Sequence, residues 1–171
     1  NDDDLAVKLR QTANHGQSRQ YIHDRVGVNS RLDSIQAAIL RIKLRHLDNY
    51  SAERNKAANF YDNAFKDNPK LKTPVRVSHS NHVFHQYTLQ LDNSINRNDM
   101  RVFLSEKGVP AMIYYPIPLH LQEAYTDPRY KEGDFPVTEK LCASVISLPM
   151  QTELSNEQLE FITTSINEFL S

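Results

Sequence analysis

Residues 27–33, Gly27-Val28-Asn29-Ser30-Arg31-Leu32-Asp33, open the stretch that decides how this chain is organised. From Val28 to Asn68 there is neither glycine nor proline, and apolar residues recur at helical spacing, first Leu32, Ile35, Ile39 and Ile42, then Leu40, Leu44 and Leu47. The spacing predicts one long helix from about Leu32 to about Phe65. Asn29 or Ser30 suits its N-cap, with Asp33 in the first turn as the acidic member of a capping box. A helix start with unpaired amides, beside a polar Asn29 and a cationic Arg31, is a ready anion site. The plainer alternative is that Asn29 and Ser30 only cap, Arg31 is solvated, and the apolar stripe is core.

Working outward, the 171 residues suffice for one full-sized domain or a domain with an appendage. The opening Asn1-Asp2-Asp3-Asp4 has no initiator Met or signal-peptide pattern, and helical patterning starts at once with Leu5, Val7 and Leu9, so a fragment of something longer is expected. Twenty Lys and Arg nearly cancel 21 Asp and Glu, leaving a net charge of -1. Such a balance gives no long-range field for nucleic acid or an anionic membrane, and both are disfavoured as partners. The apolar runs are too short for a transmembrane helix. A single cysteine, Cys142, excludes an intramolecular disulfide and fits a reducing cytoplasm. Four glycines argue against a glycine-rich nucleotide loop.

Residues 2–13 read as a short helix capped by Asp2 or Asp3 and stopped at Asn14-His15-Gly16, Gly16 supplying a left-handed turn. A polar, irregular but ordered loop follows to Gly27. Pro69 closes the helix region, and residues 70–81 form a polar connection. Val83–Leu91 alternates as a half-buried strand. Met100, Phe103 and Leu104 line a helix closed by Gly108, and Val109–Tyr115 reads as a second strand, so that strand, helix and strand make a crossover unit. A loop or short-helix region spans 119–134, a helix Thr138–Ser144, and a third strand Val145–Leu148. Ser155-Asn156-Glu157-Gln158 is a capping-box pattern before Leu159, Ile162, Ile166 and Phe169. The fold class is α+β, a long helix plus a small two-layer α/β unit, divided as 1–30, 31–68 and 69–171.

His79, His82 and His85 fall on alternating faces of an extended segment, with no cysteine or carboxylate cluster to complete a metal set, so no metal site is expected. Cys142 within a helix reads as packed rather than reactive. The informative segment is Tyr114-Tyr115-Pro116-Ile117-Pro118-Leu119-His120. Two tyrosines leaving a strand, two prolines fixing the exit and one histidine form a stiff rim of hydrogen-bonding tips, suited to a polar ligand such as a sugar. Equally, the tyrosines could be half-buried and the prolines merely turn the chain.

At these segments the sequence resembles a known family. Asn14-His15-Gly16-Gln17, Arg25 to Asp33, and Gln36-Ala37-Ala38-Ile39-Leu40, followed by Tyr115-Pro116-Ile117-Pro118-Leu119 and Ser147-Leu148-Pro149-Met150, resemble the DegT/DnrJ/StrS family of pyridoxal-phosphate-dependent nucleotide-sugar aminotransferases. The resemblance covers essentially the whole chain. Within the family it is similar to enzymes that aminate the 3-keto position of a UDP-linked N-acetylglucosaminuronic acid.

The resemblance implies the C-terminal part of a fold-type-I aminotransferase, with 1–30 the tail of the large cofactor-binding domain, 31–68 a long bridging helix and 69–171 the small C-terminal domain, working as a homodimer with each active site at the subunit boundary. Its cofactor, pyridoxal 5'-phosphate, would be carried by a lysine upstream of Asn1. None of the nine lysines here lies in a matching context. No catalytic residue is therefore expected in this chain, which alone should neither transaminate nor retain the cofactor. By motif position Asn29 would reach the cofactor phosphate of the neighbouring subunit, and Arg31 would lie near the substrate's anionic groups. Tyr114, Tyr115 and His120 would face the sugar nucleotide. The amino donor implied is glutamate, and the setting polysaccharide or surface-glycan biosynthesis. A sugar dehydratase of the same family and a non-catalytic dimerising fragment are the alternatives.

Overall fold

The computed structural model describes all 171 residues, and the chain divides into two units, Asn1–Leu47 and Asp48–Ser171. The division falls inside the 31–68 stretch read from sequence as one bridging helix.

In the first unit, α1 (Asp3–Ala13) is capped by Asp2, whose carboxylate accepts from the Leu5 amide at 2.9 Å. Asp3 and Asp4 in its first turn and Arg10 in its last complement the helix dipole. His15 and Gly16, at φ 58° and 76°, reverse the chain as expected of Gly16. The loop read as irregular carries a small antiparallel ribbon of β1 (Gln17–Arg19) and β2 (Ile22–His23), turned at Tyr21 with φ 66°. Residues 25–31 then return along the end of α1. Val28 N–H donates to Thr12 O at 2.8 Å, His15 N–H to Val28 O at 2.9 Å, and Ser30 N–H to Ala13 O at 2.9 Å.

This pairing corrects the expected helix start. Asn29 is held opposite Asn14 in an antiparallel bridge, so neither it nor Ser30 can cap. The cap is Asp33, extended at ψ 146°, whose carboxylate accepts from Ile35 N–H at 2.8 Å, and α2 runs Ser34–Lys43. The stripe read as core is exposed here, Ile35 at 73% and Leu44 at 69%. Two helices and a two-strand ribbon are too little to bury it, and Gly16 is the one buried residue of this unit. Helical structure continues through a 3-10 turn, Leu44–His46, into α3 (Leu47–Phe65), which ends where expected.

The second unit carries the core. A three-stranded antiparallel sheet, in the order β3 (Leu71–Lys72), β4 (Tyr87–Leu91), β5 (Val145–Leu148), packs with α3, α4 (Arg97–Glu106), α5 (Pro136–Ser144) and α6 (Asn156–Leu170). The alternation read in β4 is present: Tyr87, Leu89 and Leu91 are buried while Thr88 and Gln90 are half-buried. Each such aliphatic side chain contributes roughly 1.5–3 kcal/mol of burial. The strand nevertheless starts at Tyr87 rather than Val83, because Phe84 adopts φ 45°, turns inward against the His82 ring and donates its amide to His82 Nδ1 at 2.9 Å. The polar connection after Pro69 also contains β3, which was not expected.

The second expected strand, Val109–Tyr115, is a single bridge, Met112 to Ser147. Pro110 removes a ladder donor and Pro116 ends the extended run. Since Met112 and β4 are both antiparallel to β5, the crossover through α4 survives in reduced form, with β5 lying between its two ends. Gly108 closes α4 at φ 75°. In the final helix Ser155 and Gln158 form the reciprocal capping box and Leu159, Ile162 and Ile166 are buried as read, while Leu170 rather than the half-buried Phe169 completes the buried face.

Candidate functional site

The first candidate strip is Asn29-Ser30-Arg31. Its backbone is fixed by the pairing with α1, while all three side chains stay exposed. The Asn29 carboxamide makes no hydrogen bond within the chain. Arg31 Nη2 donates to Asn14 Oδ1 at 2.6 Å, which orients the guanidinium and leaves its remaining N–H groups open. No carboxylate pairs with Arg31. Asn14 was quoted in the sequence motif but given no role; its part is to aim Arg31. The strip does not sit on the helix start, so the donors it exposes are side chains rather than α2 amides.

The second candidate is the tyrosine-proline rim in the second unit. Tyr114 is 37% and Tyr115 70% exposed, with ring centroids 5.7 Å apart in an edge-on arrangement. Neither hydroxyl has a partner in the chain. Pro118 is buried and anchors the exit, and a 3-10 turn (Leu119–Leu121) follows. His120 turns away from the surface: its side chain is 9% exposed, its ring lies 4.7 Å from that of Phe135, and its Nε2 is 3.0 Å from Glu139 Oε1. An ionised carboxylate only accepts, so Nε2 carries the proton. Glu139 also accepts from the backbone amides of Gly133 and Phe135. Burial pushes its carboxyl up, but those amides and His120 outweigh it and hold the group below the usual glutamate range. Glu139 was passed over in the sequence because it lies in the first turn of a helix read only as a helix; the five residues from Phe135 to Glu139 offered no motif.

The structure gathers no three His, Cys, Asp or Glu side chains into a cluster able to hold a metal, and no helix is long and apolar enough to cross a membrane.

This chain, helical with a small ribbon in its first unit and antiparallel α+β in its second, has a partial fold found in solved aminotransferase structures. It superposes on the crystal structure of a DegT DnrJ EryC1 StrS aminotransferase from Brucella abortus with a TM-score of 0.87 and 37% identity, covering 100% of this chain and 45% of that one. The chain belongs to the DegT/DnrJ/EryC1/StrS aminotransferase family, whose pattern matches residues 1–167. It is 42% identical over 166 residues to the UDP-2-acetamido-2-deoxy-3-oxo-D-glucuronate aminotransferase of Pseudomonas aeruginosa, covering 97% of this chain and 44% of the relative. It is also 42% identical over 171 residues to a pleiotropic regulatory protein of Geobacillus stearothermophilus, covering 99% and 45%. The chain thus spans about 45% of the length of the relatives it matches.

Proposed function

We propose that this chain works as part of a pyridoxal-phosphate-dependent aminotransferase of the relatives' length, a homodimer that transfers an amino group from glutamate to a nucleotide-linked keto-sugar. The observation that carries this reading is the Asn29–Arg31 strip, rigid in its backbone, with a free carboxamide and a guanidinium unpaired to any carboxylate. Carboxamide, hydroxyl and guanidinium donors suit a phosphate, and a guanidinium fork suits a carboxylate or diphosphate. Asn29 would hold the cofactor phosphate and Arg31 the anionic part of the substrate. The cofactor, when bound, supplies an electron sink next to the transferred nitrogen.

Tyr114 and Tyr115 would present hydroxyls and ring faces to the sugar nucleotide. His120, engaged with Glu139, serves that contact by fixing the loop that follows the rim. The lysine that carries the cofactor is not among these residues, so the 171-residue chain alone should be inactive. Similarity to a UDP-3-oxo-sugar enzyme supports a UDP-linked 3-keto-uronic acid as substrate.

The test is Asn29→Ala in the full-length enzyme, read as pyridoxal phosphate retained after gel filtration. A loss of about tenfold in cofactor affinity, corresponding to ~1.4 kcal/mol, with unchanged circular dichroism is expected. Equal cofactor content in variant and parent would reject the assignment.

A further inference from the structure

Beside Tyr114 the second unit holds a cavity of about 200 Å³. Its floor is the end of the sheet, where Met112 N–H donates to Ser147 O at 3.0 Å and Ser147 N–H to Met112 O at 2.7 Å. The Ser147 hydroxyl is engaged with Thr88 Oγ1 at 2.8 Å, so the floor offers no free hydroxyl. Met112 and Met150 are apolar members of its lining, and the lining residues His85, Gln86 and Tyr114 carry polar side chains that make no hydrogen bond elsewhere in the chain. All three tips can both donate and accept. No Lys, Arg, Asp or Glu lines the cavity.

These properties select a ligand. A phosphate or carboxylate would lose its hydration without meeting a cation, and a cation would meet no carboxylate. A neutral ring with hydroxyl or amide groups finds three partners for its edge and thioether surface for its C–H faces. The volume lies below that of a whole drug-sized ligand site, and fits one ring with its substituent.

We infer that this cavity is a subsite for a neutral hydroxyl- or amide-bearing ring, with His85, Gln86 and Tyr114 as its hydrogen-bonding residues. The inference rests on the nucleotide-sugar reading only for the two sources of such a ring, an N-acylated sugar or a pyrimidine base. Anionic groups of the same substrate find no place here and are left to other residues.

Titration of the ¹⁵N-labelled protein with N-acetylglucosamine, with uridine and with UDP-N-acetylglucosamine tests it by amide shifts. Saturable shifts at Gln86, Met112 and Tyr114 are expected with one of the first two probes, with a midpoint of roughly millimolar order. A response to the monosaccharide assigns the ring to the sugar, and a response to uridine assigns it to the base. Gln86→Leu and the more exposed His85→Ala should each raise the midpoint fivefold or more with unchanged circular dichroism. Absence of saturable shifts at these amides with all three probes overturns the subsite, whatever happens at Asn29 and Arg31. Binding of a single-ring probe with no gain for the nucleotide-linked sugar supports the subsite and overturns the nucleotide-sugar reading instead.

Discussion

Gly16 and Gly27 meet backbone to backbone in the first unit: a Cβ built on Gly27 would stand 2.1 Å from Gly16 N and 2.6 Å from Thr12 O. At Gly16 a Cβ would come within 1.8 Å of Arg25 O, and that residue is also at φ 76°. Both neighbours are backbone atoms, which cannot swing aside as a flexible side chain can. The contact is what seats residues 28–30 against α1 and thereby sets Asn29 and Arg31.

Gly27→Ala should therefore unseat the strip. Amide exchange should quicken by tenfold or more at Val28 and Ser30, whose N–H groups donate to Thr12 and Ala13, while Leu89 and Ile146 in the sheet keep their protection. Unchanged exchange at Val28 and Ser30 would show that the segment is held by something other than this close approach.

The sequence made the regular elements of the second unit readable, because their signals are local. The Ser155–Gln158 capping box, the glycine after α4 and the period-two burial of Tyr87, Leu89 and Leu91 each need only a few neighbouring residues. What it concealed depends on distant partners. Asn29 looks like a helix cap until Asn14 takes its backbone, leaving Asp33 to cap instead. Leu71 and Lys72 look like linker until β4 supplies the edge they pair with. Val109–Tyr115 has strand composition but one bridging residue, since Pro110 lacks the donor a ladder needs. For the candidate site, motif position picked out Asn29, Arg31 and the tyrosines, while the residues bonded to Arg31 and His120 escaped it: Asn14 stands in a motif that names no role for it, and Glu139 stands in none.

Asp62 links α3, β4 and the segment before it. Tyr87 O–H donates to its Oδ1 at 2.5 Å, and Arg76, lying over the Phe84 ring, donates to its Oδ2 from Nη2 at 2.7 Å. Tyr87→Phe should cost about 1–2 kcal/mol, and Asp62→Ala more, about 2–3 kcal/mol, because it leaves the buried Tyr87 hydroxyl without its acceptor and also takes the carboxylate from Arg76, which keeps only Asn55 and Asn59. Urea unfolding of both variants measures this; equal losses would place the network's weight on Tyr87 alone.

The same hydroxyl gives an alkaline limit. Burial first, then the Asp62 contact, push the Tyr87 hydroxyl far above its ordinary value, and burial does the same for Tyr61, which donates to Pro149 O at 2.9 Å. The unfolded chain releases these protons near pH ~10, whereas the folded chain keeps them. Their contribution is complete below that pH and declines as pH rises above it, by at most about 1.4 kcal/mol per pH unit for each tyrosine. Urea midpoints between pH 9 and 11 should fall steeply in the parent and less so in Tyr87→Phe. Parallel curves would reject the linkage.

On the acid side the relevant group is Glu139. Its carboxyl is held below the usual range despite burial, so its contribution is present above the ordinary glutamate value of roughly 4.3 and is lost as pH falls through the lower folded value. Protonation removes an acceptor that gathers Gly133, Phe135 and His120. Glu139→Gln should loosen the 119–135 loop already at neutral pH, seen as faster proteolysis between Gln122 and Asp134, and should flatten the change that acid produces in the parent. Identical cleavage rates for both proteins at neutral pH would rule out this anchoring role.

Arg31 has two tasks that substitution can separate. Its Nη2 bond to Asn14 fixes the side chain, and under the proposed function its remaining donors would hold an anion. Arg31→Ala removes both, so in the full-length enzyme KM for the nucleotide sugar should rise about tenfold or more, the effect of losing a charge-assisted pair of roughly 1.5–3 kcal/mol, with cofactor content unchanged. Arg31→Lys keeps the charge but not the fork, and should recover only part of the loss. Asn14→Ala leaves the guanidinium intact but unaimed, and should raise KM less than Arg31→Ala does while sparing kcat. If Arg31→Ala instead emptied the cofactor and left KM unmoved, the guanidinium would belong to the cofactor phosphate, and Asn29 would have to be reassigned with it.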